Sequence, residues 1–365
     1  KREGDKMKVG IVTLMSVNYG NRLQNYALQN YVESLDESIE VETFRRNYSR
    51  SIFLAHIKRL INQLKKPDTK RYKSICKKFD AFNKKYINIS KETLYKYKAN
   101  SKVNSMYDYF LVGSDQVWNP CYPLTSPVDF CNFADKEKRL SYAASLGVSN
   151  VESANKDWFF NAVNQMERLS IREYEGAELL RKECDAVVDV HVDPTMLLDA
   201  KDWEKIESTP IWYDGSKYIV VYFLGTKDKE KMDVLEKISK ENSARIVYIF
   251  SDEQDISFVH DPSEFVWLIH HAEHVVTDSF HCTVFSLLFG KKFTICRRTG
   301  KENNTGSRLD TLLKYFDMSM EGRSIASFID YDKEHVEIVL KNERRRSKEY
   351  LMQILNINKS ESNNE

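Results

Sequence analysis

The sequence predicts an α/β protein made of two Rossmann-like domains, and three observations support this prediction. The chain has 365 residues, which is enough for two domains of ordinary size. Short runs rich in β-branched residues alternate with segments of helical periodicity, as in a parallel sheet covered by helices. The alternation starts again after a polar stretch near 205–217, so we assign the first domain to residues 1–205 and the second to 206–330.

The first series opens with "KVGIVTL" (8–14), which has the pattern of a buried strand. The next segment, "RLQNYALQNYVESL" (22–35), places apolar residues on one helical face, so the two form a βα unit. Further predicted strands of this domain are "YDYFLVG" (107–113), "RLSYAASLG" (139–147), "RLSI" (168–171) and "AVVDV" (186–190).

The second series repeats this organisation. Its predicted strands are "KYIVVYFL" (217–224), "RIVYIF" (245–250), "HVVTD" (274–278) and "KFTIC" (292–296), and its predicted helices cover 228–240, 262–271 and 280–289. We expect residues 331–357 to form a helix that returns toward the first domain, and 358–365 to be a disordered tail.

Composition excludes several classes of protein. Hydrophobic residues make up 42% and charged residues 30% of the chain, and no apolar run is long enough to span a bilayer. The first residues lack the apolar core of a secretion signal, and the six cysteines include no CxxC pair. We therefore expect a cytoplasmic protein with reduced thiols. The net charge of +1 and the lack of a recognised module predict no nucleic-acid partner.

Polar residues follow several of the predicted strands. These are "MSVNYGNR", "GSDQVWN", the pair Arg172 and Glu173, "DPT" (193–195) and "DSFH" (278–281). In open parallel sheets, ligands bind outside the carboxyl ends of the strands. We therefore expect these residues to face one cleft between the two domains.

Several of these segments also resemble a known family. The stretches "NYGNRLQNYALQ", "GSDQVWN", "SYAASLG", "SIRE", "DPTMLL", "TDSFHCTVFSLLFG" and "SRLDTLL" resemble, in order and spacing, the polysaccharide pyruvyl transferase family. The resemblance runs from about residue 8 to 316. It implies a GT-B-like fold and transfer of a pyruvyl group from phosphoenolpyruvate to two sugar hydroxyls, which forms a cyclic ketal and releases phosphate. It implies no cofactor, since phosphoenolpyruvate is the co-substrate.

The ketal chemistry requires a group that gives and takes protons near neutral pH, and histidine has the suitable pKa. His281 is the candidate, and the resemblance places the family's acid/base histidine at this position. The anionic donor also requires fixed cations, for which Arg172, Lys301 and Arg308 are the candidates. Ser279 and the start of the 280–289 helix add further donors for the phosphate. Arg172 beside Glu173 also fits an ion pair within its own domain.

The first domain offers residues suited to a sugar. Planar amides and a carboxylate bind hydroxyls, and an indole face packs on a sugar ring. We assign the acceptor site to Asn18, Asn21, Gln24, Asp115, Gln116 and Trp118. Asp115 is also a candidate to accept a proton from the attacking hydroxyl. The alternative for Trp118 is a place in the core.

Other sites have weaker signals. In "HHAEH", His270 and His274 lie one helical turn apart, but no HExxH, CxxC or carboxylate partner accompanies them, so we predict no metal site. The absence of GxxxxGK[ST] and GxGxxG argues against simple ATP or NAD sites. A glycosyltransferase of the GT-B type that uses a nucleotide sugar remains the alternative enzyme, and a sugar-binding scaffold with an inactive site is the non-enzymatic alternative.

A basic segment suggests where the acceptor is found. Residues 52–66, "IFLAHIKRLINQLKK", combine an apolar helical stripe with flanking lysines and arginine, the pattern of a helix on an anionic membrane surface. An amphipathic helix packed on its own domain, with a solvated basic face, is the more ordinary explanation of the pattern. The membrane alternative suits a sugar carried on a polyprenyl diphosphate at the inner face of the cell membrane, in a surface-polysaccharide precursor.

Overall fold

The structure is a computed structural model that describes residues 6–47, 69–96, 100–122, 124–148, 150–151, 153–249, 259–298, 306–320 and 326–357. Among these residues, two compact units are distinguished. Unit 1 takes those in 1–67, 83–197 and 342–365, and unit 2 takes those in 68–82 and 198–341. None of the helices in the described residues is long and apolar enough to cross a membrane.

The described residues form strands and helices that alternate along most of the chain. The strands are β1 (Met7–Val12), β2 (Ile39–Asn47), β3 (Ile89–Tyr95), β4 (Tyr109–Val112), β5 (Arg139–Ser141), β6 (Leu169–Ile171), β7 (Val188–Val190), β8 (Tyr218–Tyr222), β9 (Arg245–Tyr248), β10 (His274–Thr277), β11 (Phe293–Cys296) and β12 (Ala326–Ile329). The helices are α1 (Tyr19–Leu35), α2 (Thr69–Tyr86), α3 (Ser101–Asn104), α4 (Ser153–Asn164), α5 (Tyr174–Glu183), α6 (Ala200–Glu204), α7 (Lys229–Asn242), α8 (Pro262–His271), α9 (Phe280–Leu288), α10 (Gly306–Tyr315) and α11 (Lys333–Ile354).

The sheet of unit 1 has the strand order of a Rossmann half. Five parallel strands lie in the order β3-β2-β1-β4-β5, and β6 pairs with β7 in a separate parallel pair. Two isolated parallel bridges, Leu140–Arg168 and Ala144–Ile171, connect this pair to the segment of β5. The order reverses between β1 and β4, which is where ligands bind in folds of this type.

The first βα unit follows from the local sequence, as predicted. The last four residues of β1 are fully buried, and α1 presents Leu23, Ala27, Leu28 and Val32 to the core with no exposed surface. Asn18 caps the helix, because its side chain accepts a hydrogen bond from the backbone of the third residue that follows. The cap fixes where the chain turns from the strand into the helix.

Unit 2 contains a second five-stranded sheet, in the order β12-β11-β10-β8-β9. The first four strands of the unit, β8 to β11, are parallel, and β12 runs antiparallel to β11. Helix α8 begins with Pro262 after Asp261, which forms a capping box with Glu264. The predicted α/β fold of two Rossmann-like units is therefore confirmed.

Three strands and the bounds of the units differ from the sequence prediction. No strand was predicted at 39–47 or 89–95, where charged residues alternate with apolar ones because one face is only partly buried. The short antiparallel strand β12 was not predicted either. The first predicted domain ended at 205, whereas the observed unit 1 segment ends at Leu197. Residues 68–82 were predicted within the first domain and belong to unit 2, where Lys78 forms an ion pair with Glu264 at 2.6 Å.

The last helix, α11, contributes to both units. Its residues from Asn342 onward belong to unit 1. There the hydroxyl of Ser347 lies 2.9 Å from that of Tyr142, and the hydroxyl of Tyr350 donates to the backbone oxygen of Ser141 at 3.0 Å. These contacts join helix α11 to the last residue of β5 and to the residue that follows it.

Candidate functional site

Polar residues of unit 1 meet where β1 and β4 end. A cavity of about 450 Å³ lies at this switch point of the sheet. Its wall includes residues 14–16 and 18 from the segment after β1, together with Asn21 from α1 and Asp115 and Gln116 from the loop after β4. The strand order therefore brings together residues almost a hundred positions apart in the sequence.

Four of the predicted acceptor residues line this cavity: Asn18, Asn21, Asp115 and Gln116. Asn21 donates a hydrogen bond from Nδ2 to Oδ2 of Asp115 at 2.5 Å. Asp115 is only 5% exposed, so its carboxylate is held in place at the edge of the cavity. This arrangement offers amide donors and carboxylate acceptors to a polar ligand.

The other two predicted acceptor residues lie behind the cavity. Gln24 is fully buried and accepts a hydrogen bond from the backbone nitrogen of Ser114 at 2.8 Å, so it ties α1 to the loop after β4. Trp118 is also fully buried, stacks on Phe130 at 4.8 Å, and donates from Nε1 to the backbone oxygen of Asp129. The structure therefore places Trp118 in the core, the alternative that its sequence context had left open.

The cavity is also lined by polar residues that were not found from the sequence, among them Arg46, Tyr122 and Asp129. Arg46 forms an ion pair with Asp129, and Tyr122 donates a hydrogen bond to Oε1 of Gln116 at 3.0 Å. Arg46 belongs to β2, a strand that the sequence prediction did not assign. The rule that polar residues collect at strand ends would have found it if that strand had been recognised.

Arg172 lies at the end of β6 and contacts three carboxylates of its own unit. One terminal nitrogen contacts Asp193, the other lies 3.3 Å from Asp115, and Nε lies 3.4 Å from Glu173. The hydroxyl of Ser145 accepts from the second terminal nitrogen at 3.1 Å. The ion pair within its own domain, which the sequence had left open, is thus observed.

The three carboxylates around Arg172 determine the direction in which the pKa of its guanidinium shifts. The guanidinium of Arg172 is 2% exposed, and the side chains of its three carboxylate partners are 0–7% exposed. Burial by itself lowers the pKa of Arg172, but the charges of Asp193, Glu173 and Asp115 outweigh burial and raise it. Arg172 is therefore a permanent cation that holds Asp115 next to the cavity.

In unit 2 the end of β10 leads directly into α9. Both carboxylate oxygens of Asp278 accept hydrogen bonds from the loop after β8, at Leu224 N (2.7 Å) and Gly225 N (3.0 Å). Ser279 is the N-cap of α9, with its hydroxyl 3.5 Å from the backbone nitrogen of Cys282. His281 is the second residue of the helix and is 6% exposed. The cap explains why this polar cluster begins a buried helix.

A second cavity, of about 170 Å³, lies beside this turn within unit 2. It is lined by Asp278 and Phe280 from the turn and by three arginines, which are Arg297 and Arg298 after β11 and Arg308 of α10. Arg298 donates to the backbone oxygen of Asp278 at 3.3 Å, which links the arginines to the turn. Ser279 and His281 are next to lining residues in the sequence but are not among them.

Arginines dominate the charge of this second cavity. Three guanidinium groups line it, against the carboxylates of Asp278 and Asp310. The carboxylate of Asp278 is already engaged by the loop after β8, so the balance favours an anionic ligand. Arg308 was predicted from the sequence, whereas Arg297 and Arg298 were missed although they directly follow a predicted strand. Lys301 lies outside the described residues.

The fold and the polar residues around the two cavities, one cavity in each unit, indicate the class of protein. Each unit is a Rossmann-like α/β unit with polar residues at the carboxyl ends of parallel strands. The chain belongs to the polysaccharide pyruvyl transferase family, whose model matches residues 18–299. That range includes Asn18, Asn21, Asp115 and Gln116 as well as the turn with His281, and it ends before Arg308. That all of them face one cleft stays a prediction.

Other comparisons are more distant. No curated protein matches the chain. Among solved structures, it is similar to the UDP-GlcNAc 2-epimerase of Neisseria meningitidis, with 12% identity over 96% of this chain and 94% of that one and a TM-score of 0.45. The UDP-GlcNAc 2-epimerase of Methanocaldococcus jannaschii gives 10% identity over 92% and 99%, with a TM-score of 0.46. Arabidopsis thaliana UGT89C1, complexed with UDP-L-rhamnose, gives 12% identity over 96% and 94%, with a TM-score of 0.44. We draw no functional conclusion from these structures.

Proposed function

We propose that this protein transfers the pyruvyl group of phosphoenolpyruvate to two hydroxyls of a sugar in a surface-polysaccharide precursor, forming a cyclic ketal and releasing phosphate. Membership of the polysaccharide pyruvyl transferase family supports this proposal. The observation that carries it is the small arginine-lined cavity next to the turn that bears His281.

The arginine-lined cavity suits the donor in size and charge. At about 170 Å³ it is smaller than the sites of drug-sized ligands, and phosphoenolpyruvate is a three-carbon phosphate ester. Guanidinium groups bind carboxylate and phosphate oxygens in bidentate geometry, which is the role we assign to Arg308 with Arg297 and Arg298. Ser279 and the amino end of α9 supply further donors near the turn. We retain Lys301, a candidate from the sequence, as a further cation for the donor.

His281 acts as the acid and base of the reaction. In the first step C3 of phosphoenolpyruvate gains a proton and a sugar hydroxyl oxygen bonds to C2. The bond between C2 and C3 becomes single, and C3 becomes a methyl group. In the second step the other hydroxyl oxygen bonds to C2 while the bond from C2 to the phosphate oxygen breaks. One hydroxyl proton replaces the proton given to C3, and the other leaves with the phosphate. Histidine is suited to both transfers near neutral pH.

The larger cavity of unit 1 suits the acceptor. Asn18, Asn21 and Gln116 bind sugar hydroxyls, and Asp115 binds or deprotonates the attacking one. Because the charge of Arg172 is shared among three carboxylates, we assign this residue to positioning Asp115. Direct contact of Arg172 with the donor stays a prediction that rests on the resemblance.

Ligand-dependent melting tests the proposal. Millimolar phosphoenolpyruvate should raise Tm, and Arg308→Met should abolish the rise. Arg245→Met is the control and should keep the rise. Arg245 begins β9, the edge strand on the other side of the sheet from β11, and does not line the arginine-lined cavity. A rise with a nucleoside diphosphate and none with phosphoenolpyruvate would instead favour a nucleotide-sugar glycosyltransferase. A rise with neither would favour a sugar-binding scaffold.

Turnover provides the second test. The protein is incubated with phosphoenolpyruvate and a panel of sugar acceptors, phosphate is measured, and products are analysed by mass spectrometry. We expect phosphate only when a competent acceptor is present, with a product that gains a ketal-linked pyruvyl group. Phosphate release that is independent of every acceptor would contradict the transfer reaction.

A further inference from the structure

A histidine pair and a glutamate meet in unit 2, away from the residues discussed so far. Nδ1 of His270 lies 2.7 Å from Oε1 of Glu207, and Nε2 of His271 lies 3.3 Å from Oε2 of the same carboxylate. Each of the three side chains offers one possible ligand atom, and these three atoms lie within 4.8 Å of one another. His274, which the sequence had paired with His270, begins β10 and bonds Thr294 at 2.9 Å instead.

Aromatic neighbours hold both imidazole rings in place. His270 stacks on Phe289 with ring centroids 4.2 Å apart and an interplanar angle of 13°. His271 stacks on Trp267 at 4.5 Å and 26°. The two rings are thus restrained before any ligand binds, which lowers the entropy lost on coordination.

We propose that Glu207, His270 and His271 bind a divalent transition-metal ion, with Zn²⁺ as the best candidate. Two imidazole nitrogens and one carboxylate are a ligand set that Zn²⁺ accepts with a fourth, open position. Imidazole ligands favour zinc, nickel or copper over magnesium and calcium, which prefer oxygen. The two nitrogen–oxygen distances, 2.7 and 3.3 Å, are near the separation of about 3.4 Å between ligand atoms that a tetrahedral ion at about 2.0–2.1 Å from each would require.

Electrostatics at this position favour a cation. His270 and His271 are the last residues of α8, where the helix dipole is negative. The carboxylate of Glu207 contacts both imidazoles and adds negative charge at the same point.

The site lies apart from the residues that we assign to the proposed reaction. Phe289, which stacks on His270, is the residue that ends α9, whereas His281 lies in the first turn of that helix. At 1.5 Å per residue, their backbones are about 12 Å apart along the helix. A bound ion would fasten the segment after α6 to the end of α8, and it would not touch the reacting atoms.

Metal-dependent melting of the full-length chain without a histidine tag tests the site. We expect saturating Zn²⁺ to raise Tm by about 5 °C and an equal concentration of Mg²⁺ to leave it unchanged. Titration calorimetry should give one Zn²⁺ per chain. Glu207→Gln and His271→Ala should each abolish the Tm rise and weaken binding at least tenfold.

A matched control comes from the same unit. His335 pairs with one carboxylate, the exposed one of Asp317 at 3.1 Å, and has no second imidazole in that contact, so His335→Ala should keep the full response to Zn²⁺. The proposal is overturned if Zn²⁺ does not bind, or if Glu207→Gln and His271→Ala bind it as tightly as the unaltered chain. His271 is 43% exposed in its side chain, so its variant should fold even if the Glu207 variant does not. Neither result depends on turnover, so the test is independent of the proposed reaction.

Discussion

Replacing Arg172 by Met should destabilise unit 1 severely, and this prediction separates a positioning role from simple donor binding. The change removes the only guanidinium that we find among Asp115, Glu173 and Asp193 in the described residues, while a methionine fills a similar volume. Three carboxylates with almost no exposed surface then lose the cation that contacts all of them. The cost is therefore electrostatic rather than a packing defect.

The magnitude follows from the distances. A pair of unit charges 3.3 Å apart interacts by about 5 kcal/mol at an effective dielectric constant of 20. Part of this is recovered because the carboxylates can be hydrated or protonated, and removing one partner of a buried ion pair costs about 3–5 kcal/mol in general. We expect the free energy of unfolding of unit 1 to fall by about 4 kcal/mol. Adding Asp193→Asn should restore at least about 1 kcal/mol, since the two changes are coupled through one contact.

Hydrogen exchange measured against urea concentration provides the assay, because peptides from β4 and β6 report on unit 1 alone. The control is Lys8→Met, which removes an exposed ion pair of the same unit, with Glu40 at 3.6 Å. Exposed pairs contribute less than about 1 kcal/mol. If Arg172→Met costs no more than Lys8→Met and only weakens the binding of phosphoenolpyruvate, the positioning role is refuted and a direct donor contact is favoured.

Four further predictions follow from single features of the chain. His281→Ala should lower the rate of phosphate release at least about 100-fold but keep the Tm rise caused by phosphoenolpyruvate, and substantial turnover would reassign the acid/base role. Gly147→Ala should lower the free energy of unfolding by about 1–2 kcal/mol in urea titrations, because φ is +67° there and a Cβ would lie 2.6 Å from Oε1 of Gln116; an unchanged midpoint would contradict this. Burial lowers the pKa of His191 to about 4, so acid should cost up to about 3 kcal/mol of stability as pH falls from about 6.5 to 4, and His191→Phe should show a shallower loss over that window. Residues 52–66 lie outside the described residues, and we predict that at low salt the protein sediments with anionic vesicles more than with neutral ones, so equal sedimentation would exclude the membrane role.

Local sequence was sufficient to predict a strand or helix that is buried on both sides or has a strong cap. The strand at the start of the chain, the helix after it, and the helix that starts at Pro262 were all predicted near their observed bounds. The strands at Ile39–Asn47 and Ile89–Tyr95 were not, because their alternate charged residues resemble a surface segment. The assignment of 68–82 to unit 2 was also inaccessible, since it depends on contacts with residues far along the chain.

The candidate site shows the same division. The sequence by itself determined that Asn18, Asp115, Arg172 and His281 follow the carboxyl ends of strands, since this depends only on each strand and its next few residues. Only the tertiary structure decided which of them meet, because strand order and side-chain burial are set by pairing over a hundred or more residues. That is why the contacts of Arg172 with Asp115 and Asp193 became visible only in the folded chain, and why the ring of Trp118 was found in the core.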